Sequence, residues 1–327
     1  MLQPRTPTAK RARVLKSVLI GTAGLLVVGL LAVSGFIALL GHSFDSSRHV
    51  LRNAFPAVRA PKATGVAANA VNVLMVGYDV DAKDAATPQF VGKPQADALM
   101  LVHIPADRSH IYVMSILRDS LVPVPGHGQQ AANAALALGG VPLQIQTVEG
   151  LLGVRVDHVV SVSLDQLGSI TDAMGGVTVR NRSSFQNDGY TFQPGTVRLD
   201  GKHALAYVRP GTGATGDAGR ARAQAAYVRG VLRELLQAKT LLNPAALATV
   251  VSVLSPHLTV DQGFDSAYVA GLGVSLRNVR AGDITTFALP APTARKVGPA
   301  RVLEFDRSAL EQVRQHLKND SLDEYVP

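Results

Sequence analysis

The longest apolar stretch of the chain runs from Val18 to Leu40 without a charged residue. A helix needs about 20 apolar residues to cross a bilayer core. A cleaved signal peptide has a shorter apolar core, about 7–15 residues, with a small-x-small cleavage site. The length therefore predicts a retained transmembrane helix at 18–40. After it the pattern fades. Residues 41–69 hold Ser, Arg, Ala and Pro in no clear period, and Pro56 and Pro61 discourage a long helix. They read as a linker, with a short amphipathic helix at Val50–Phe55 as a weak alternative.

From residue 70 onward two periods interleave. Val71–Val76 is a compact apolar run that ends at Gly77, as a buried strand followed by a turn would. Ala98–Ile104 and Ile111–Ser115 read as two more strands, joined through Pro105, Asp107 and Ser109 into a hairpin. Gly140–Leu152 predicts a helix with Pro142 in its first turn, and His158–Ser163 predicts a strand. Leu164, Leu167, Ile170 and Met174 recur at helical spacing until Gly175 and Gly176 stop them. Val177–Val179 is a short strand, and Gly219–Leu236 a long helix with Val228, Val231, Leu232 and Leu235 on its apolar side. Asn243 followed by Pro244 opens a helix to about Leu254. Ile284–Leu289 is a late strand, and Asp306 caps a last helix through Leu317. Interleaved strands and helices predict one layered α/β domain over 70–327, built on a mixed sheet.

Composition narrows the chemistry. The chain of 327 residues has no cysteine, so disulfides, thiolate catalysis and Cys-ligated metals are excluded. Its nine histidines show no HExxH-type spacing, and His103 and His158 read as satisfied or surface side chains. The formal net charge is +8, but Arg5, Lys10, Arg11, Arg13 and Lys16 all precede the apolar run with no acid among them. The basic balance is thus largely a topology signal: residues 1–17 form a cytoplasmic tail, and the domain lies outside. No helix-turn-helix pattern is seen and the domain faces away from the chromosome, so nucleic acid is not an expected partner.

Four places carry residues that a purely structural reading does not require. Asp79 follows the first strand, where sites of open α/β sheets gather. Asp97 immediately precedes the next strand, and Arg118 with Asp119 follows the strand ending in Ser115. The segment 207–224 sets Arg209, Asp217, Arg220, Arg222 and Gln224 around a glycine-rich stretch. Two carboxylates on neighbouring strand ends suit Mg²⁺, a hard cation that prefers oxygen and shares its shell with phosphate. Guanidiniums suit phosphate oxygens, which they bind in pairs. Taken singly, each feature also fits a turn residue, a surface ion pair or a plain loop.

Together the motifs resemble the LytR-CpsA-Psr family of bacterial cell-wall proteins, over a motif core at 71–229. The resemblance is carried by NVLMVGYD (72–79), ADALMLVHI (96–104), SILRDSLVPVPG (115–126) and NAALALGG (133–140). It continues through TVEGLLGVRVDHVVSVSL (147–164), LGSITDAMGGVTV (167–179), LDGKHALAYVR (199–209) and GDAGRARAQ (216–224). The resemblance implies a three-layer α/β/α sandwich with a mixed central sheet, preceded by one transmembrane helix, in a single-pass protein of the bacterial cell membrane. The implied activity is phosphotransfer: a glycopolymer moves from a polyprenyl-pyrophosphate carrier to peptidoglycan, with Mg²⁺ as cofactor.

Matched position by position, Asp79 and Asp97 correspond to the metal-associated aspartates. Arg118, Arg209 and Arg220 correspond to the pyrophosphate-binding arginines. Asp119, Asn133, Asp217 and Gln224 correspond to supporting positions, with Asp119 and Asp217 as candidate bases. Apolar helix faces at 143–152 and 228–236 are candidates to line a lipid pocket, although ordinary core helices look the same. Several family positions differ here. Asp81 stands where an arginine is usual, Gln95 and Ala96 precede Asp97, and Ala131 replaces a lysine. Gly211 and Ala223 replace arginines. Two other readings use the same residues: a non-catalytic scaffold that binds a pyrophosphate-linked glycan, and a hydrolase with water as nucleophile.

Overall fold

The computed structural model describes residues 34–78, 96–209, 216–237, 243–291, 293–297 and 300–326. In chain order the strands are β1 (His49–Leu51), β2 (Val71–Tyr78), β3 (Ala96–Ile104), β4 (Ile111–Ser115), β5 (Leu121–Val124), β6 (Gly128–Ala131), β7 (His158–Ser163) and β8 (Val177–Asn181). They continue as β9 (Phe185–Asn187), β10 (Tyr190–Phe192), β11 (Gly195–Leu199), β12 (Thr259–Asp261), β13 (Ile284–Ala288), β14 (Thr293–Val297) and β15 (Ala300–Glu304). The helices are α1 (residues 34–47), α2 (Ala134–Leu152), α3 (Leu167–Ala173), α4 (Gly201–Val208) and α5 (Gly216–Leu235). Then come α6 (Pro244–Leu254), α7 (Ser266–Ser275), α8 (Arg307–Asn319) and α9 (Leu322–Tyr325).

Seven strands form the central sheet in the order β1-β12-β7-β2-β3-β4-β13. The sheet is mixed. β2 is parallel to β7 and antiparallel to β3, which is antiparallel to β4, and β4 is parallel to β13. Alternation along β2 shows why it sits at the centre. Leu74, Val76 and Tyr78 enter one apolar cluster with Leu136, Ile145 and Leu152 of α2 and Val313 of α8. Val71, Val73 and Met75 enter another with Ala225, Val228 and Leu232 of α5 and Leu272 of α7. Helices thus cover both faces, and a strand buried on both sides reads as a continuous apolar run.

The pairing directions bring the carboxyl ends of β2, β4, β7 and β13 and the start of β3 to one end of the sheet. The register between β2 and β3 shifts at Gly77/Tyr78, opposite Ala98, where a Cβ on Gly77 would lie 2.9 Å from that of Ala98. Such a bulge bends a strand end and re-aims the residues beside it.

Three sequence expectations change. Residues 41–69 do not stand off the domain as a plain linker. β1 joins the sheet beside β12 in place of the helix at Val50–Phe55, and the buried Glu149 carboxylate holds Arg59 at 3.3 Å and the Ala60 N–H at 2.7 Å. The helix expected from Gly140 begins at Ala134, with non-helical backbone at Gly139 and Gly140. The face at 143–152 is closed core, since Ile145, Val148 and Leu152 are fully buried. The apolar run 18–40 falls largely outside the described residues. Among the described residues no helix is long and apolar enough to cross a membrane.

Candidate functional site

The end of the sheet where β2, β3 and β4 meet carries a charged cluster. Asp97, the second residue of β3, accepts a 2.8 Å hydrogen bond from Nη1 of Arg118, just past β4. The Nε of Arg118 lies 3.7 Å from Asp119 and 3.5 Å from Asp217, at the start of α5. Arg220, one turn along α5, approaches the same Asp217 oxygen at 3.1 Å. Five residues from three sequence regions therefore share one charge network, all partly shielded from solvent.

The local backbone explains the convergence. The Arg118 carbonyl accepts from the N–H of Asn133, and the Ser120 carbonyl from that of Ala132. These bonds fix the loop after β4 against the start of α2. The buried Asn133 thus acts here through its backbone, at the N-terminal boundary of α2. The Nε2 of Gln224, also buried, reaches the Val208 carbonyl at 3.3 Å and the Asp97 carbonyl at 3.5 Å. It ties α5 to both α4 and β3. The Asp119 carbonyl accepts from Leu303, which anchors β15 to this loop.

The electrostatics of the cluster suit an anion. The Asp119 carboxyl is held up to about 6, first by burial and then by the hydrogen bond and charge of Asp217, against the pull of Arg118 and Arg220. Burial, and then the charge of Arg118, lower Arg220 from its ordinary value. The buried Nε of Arg118, Nε and Nη1 of Arg220 and Oγ of Ser115 have no hydrogen-bond partner of good geometry. Buried polar atoms are normally satisfied, so this set of donors fits an oxyanion bound among them.

Arg209 lies to one side of this network. Its guanidinium pairs with Asp165, which follows β7, and its carbonyl accepts from Asn187 at 3.1 Å. It lines a cleft of about 980 Å³ together with Ser115 and Arg220. Asp165 was not singled out in the sequence, because an Asp in a helix-opening turn reads as a cap. Ser115 was missed because a serine ending an apolar strand carries no signal of its own. Asp79 lies outside the described residues.

Among the described residues no group of three or more His, Cys, Asp or Glu side chains converges to hold a metal. Asp97 presents one carboxylate, with one oxygen engaged by Arg118. An oxygen-only donor set of one or two carboxylates completed by phosphate is the kind Mg²⁺ accepts, so the residues present fit that ion.

Comparison with known proteins agrees with the motif pattern. The LytR_cpsA_psr family model matches residues 45–319. A probable cell wall biosynthesis protein LcpB of Corynebacterium glutamicum is 32% identical over 299 residues, covering 88% of this chain and 68% of that protein. The polyisoprenyl-teichoic acid--peptidoglycan teichoic acid transferase TagU of Enterococcus faecalis is 30% identical over 307 residues, covering 90% of this chain and 94% of that protein. The fold is similar to the crystal structure of B. subtilis TagV, with a TM-score of 0.66 at 24% identity, over 79% of this chain and 99% of that one.

Proposed function

The chain belongs to the LytR_cpsA_psr family, and on that premise we propose that it transfers a glycopolymer to peptidoglycan. In finer terms the proposed reaction is phosphotransfer from a polyprenyl-pyrophosphate-linked glycan, by a domain held outside the cytoplasmic membrane by the helix read at 18–40. The observation that carries this reading is the set of buried, unsatisfied donors on Arg118, Arg220 and Ser115 beside three carboxylates. The TagU relative is named for a transfer of this kind.

In the proposed mechanism Arg118 and Arg220 grip the pyrophosphate oxygens and offset charge that builds during transfer. Arg209 lines the neighbouring wall. A peptidoglycan hydroxyl attacks the phosphorus that bears the glycan. The new O–P bond forms as the bridging P–O bond breaks, and polyprenyl phosphate leaves. The hydroxyl proton passes to Asp119, whose carboxyl is held up to about 6 and so accepts and releases a proton near neutrality. Mg²⁺ on Asp97 and Asp79 would supply further neutralisation of the pyrophosphate. For the lipid tail we propose the half-buried face of Val228, Leu232 and Leu236 beside Leu258, Phe264 and Leu272. A membrane anchor would keep the site near a lipid-borne donor and raise its effective concentration.

The test is glycan transfer from a polyprenyl-pyrophosphate donor to peptidoglycan by the purified protein, with Mg²⁺ and with chelator. Mg²⁺-dependent linkage and release of polyprenyl phosphate would support the proposal. Donor binding without either product would favour the scaffold. Release of lipid phosphate without linkage would favour the hydrolase.

A further inference from the structure

The cleft that begins at Arg209 and Arg220 continues well past them. One face of α5 repeats arginine at 222, 229 and 233, a spacing that keeps all three on one side of a helix. Beside them the cleft-lining positions are small: Gly219, Ala223, Ala226 and Gly230. The opposite wall comes from β8 and the residue after it, where Arg180 and Arg182 are exposed at alternate positions. β13 adds Phe287. α5 lies directly on β8 because position 230 is glycine. A Cβ there would meet Val177 at 2.6 Å and the Thr178 carbonyl at 2.8 Å.

No aspartate or glutamate is among the described residues that line this cleft. The guanidiniums are nevertheless held in place. Arg229 donates to the Ala281 carbonyl at 3.1 Å, and Arg233 to the Thr178 carbonyl at 3.2 Å. Glu234 touches Arg233 at 3.3 Å, and the Nε of Arg233 is buried with no hydrogen-bond partner. Burial, and then the positive charges of Arg233, Arg182 and Arg180, hold Arg229 below its ordinary value. Like charges gathered at one place cost free energy unless anions offset them, and among the described residues Glu234 pairs with Arg233.

From Arg220 to Arg233 the helix advances roughly 20 Å. That is longer than a pyrophosphate, so the distal arginines lie beyond what the reacting group alone requires. We propose that Arg180, Arg182, Arg229 and Arg233 form a second anion-binding subsite that holds charged, phosphate-bearing repeats of the donor glycan. The subsite deepens the transferase reading and rests on it. The polymer would enter along α5, with its first sugars between the pyrophosphate grip and the distal arginines, so that chain charge as well as the reacting group selects the donor.

The test measures binding of a short fluorescent glycerol-phosphate oligomer, free of lipid and pyrophosphate, to the full-length protein in detergent. A neutral dextran oligomer of equal length and a soluble muropeptide serve as comparisons. The glycerol-phosphate oligomer should bind with an affinity that falls with added salt, and dextran should not bind. R180Q/R182Q changes two exposed positions and should weaken binding about tenfold or more, which corresponds to the loss of one or two charge-assisted contacts. R229Q should weaken it by a smaller factor, and Arg118→Ala should leave it unchanged. Equal binding of dextran, unaltered binding by R180Q/R182Q, loss of binding in Arg118→Ala, or capture of the muropeptide alone would each overturn the proposal. If transfer fails with every donor while R180Q/R182Q still loses the oligomer, the subsite stands and the transferase reading falls.

Discussion

Asp119 and Asp217 face the same Nε of Arg118, at 3.7 Å and 3.5 Å, and Asp217 also reaches Arg220 at 3.1 Å. The neighbouring Asp217 charge helps to raise the Asp119 carboxyl, because a like charge close by disfavours the ionised form. Sequence places them about a hundred positions apart. The fold joins them because the loop after β4 and the first turn of α5 meet at one end of the sheet.

The pair makes stability depend on pH in a definite direction. Burial, and then Asp217, hold the Asp119 carboxyl up to about 6, above the ordinary carboxylate value. Its contribution to stability is therefore complete below about pH 4 and is lost as pH rises through about 6. Asp119→Asn should stabilise the ligand-free protein at pH 8, on the order of 1–3 kcal/mol, and do little at pH 4. Melting curves at the two pH values check this, and equal shifts at both would count against a raised Asp119 carboxyl. In transfer assays the wild type should gain rate as pH rises through about 6, and the variant should lack that limb.

Arg118 is the hub of the network, touching Asp97, Asp119 and Asp217. Arg118→Ala should lower turnover by about 100-fold or more, the scale seen when one transition-state donor is removed, and weaken donor binding as well. Arg118→Lys keeps the charge but not the planar fork, so it should recover binding better than turnover. Wild-type turnover in Arg118→Ala, measured on folded protein, would remove the residue from the mechanism.

Gly201 opens α4, the helix that ends beside Arg209. A Cβ there would lie 2.4 Å from an Asp172 carboxylate oxygen and 2.5 Å from the Gly168 carbonyl, while its own N–H already bonds Asp172 at 2.7 Å. Gly201→Ala should cost about 1–3 kcal/mol, as overpacking does, and displace α4 enough to lower activity. Chemical denaturation measures the first effect. An undiminished midpoint would mean that α3 and α4 slide apart freely.

The sequence was most legible where a signal is local. The hairpin of β3 and β4, the strand His158–Ser163 and the helix after Asn243 lie where periodicity and capping residues placed them. Asp306 accepts the Ala309 N–H, as a helix cap should. Pairings set by distant partners were not legible. β1 and β12 are three residues each, too short to show alternation, and they pair across more than two hundred positions. The hairpin β5–β6 and the strands β9, β10 and β11 cover parts of the structure that no period announced. At the site, Asp97, Arg118, Asp119, Asp217 and Arg220, which the motif resemblance named in separate segments, lie in one charge network. It did not place Arg209 on Asp165, nor Arg180 and Arg182 opposite α5. The place of Arg180 and Arg182 depends on how α5 lies across β8, which rests on the close approach at Gly230.

At the other end of β3, His103 ties the sheet to the end of α8. Its ring is buried, with Nδ1 2.8 Å from Asn72 Oδ1 and Nε2 3.0 Å from Asp320 Oδ1. The second Asp320 oxygen accepts the Ala106 N–H at 2.9 Å. Asp320 ends α8 in the left-handed conformation, at φ 56°. Burial acts to raise its carboxyl, but the bonds from His103 and Ala106 outweigh it and leave the group below its ordinary value. The stabilisation it gives is present above about pH 4 and is lost as pH falls through the folded value. Asp320→Asn tolerates the backbone conformation but loses the charge, so it should cost about 1–2 kcal/mol at pH 7. Asp320→Ala loses the acceptor and strains the backbone, and should cost about 2–4 kcal/mol. Both penalties should shrink at pH 3. Six residues of extended strand, roughly 20 Å, separate His103 from Asp97, so transfer by protein that remains folded should keep its KM. A changed KM in Asp320→Asn would show that the far end of β3 is coupled to the site.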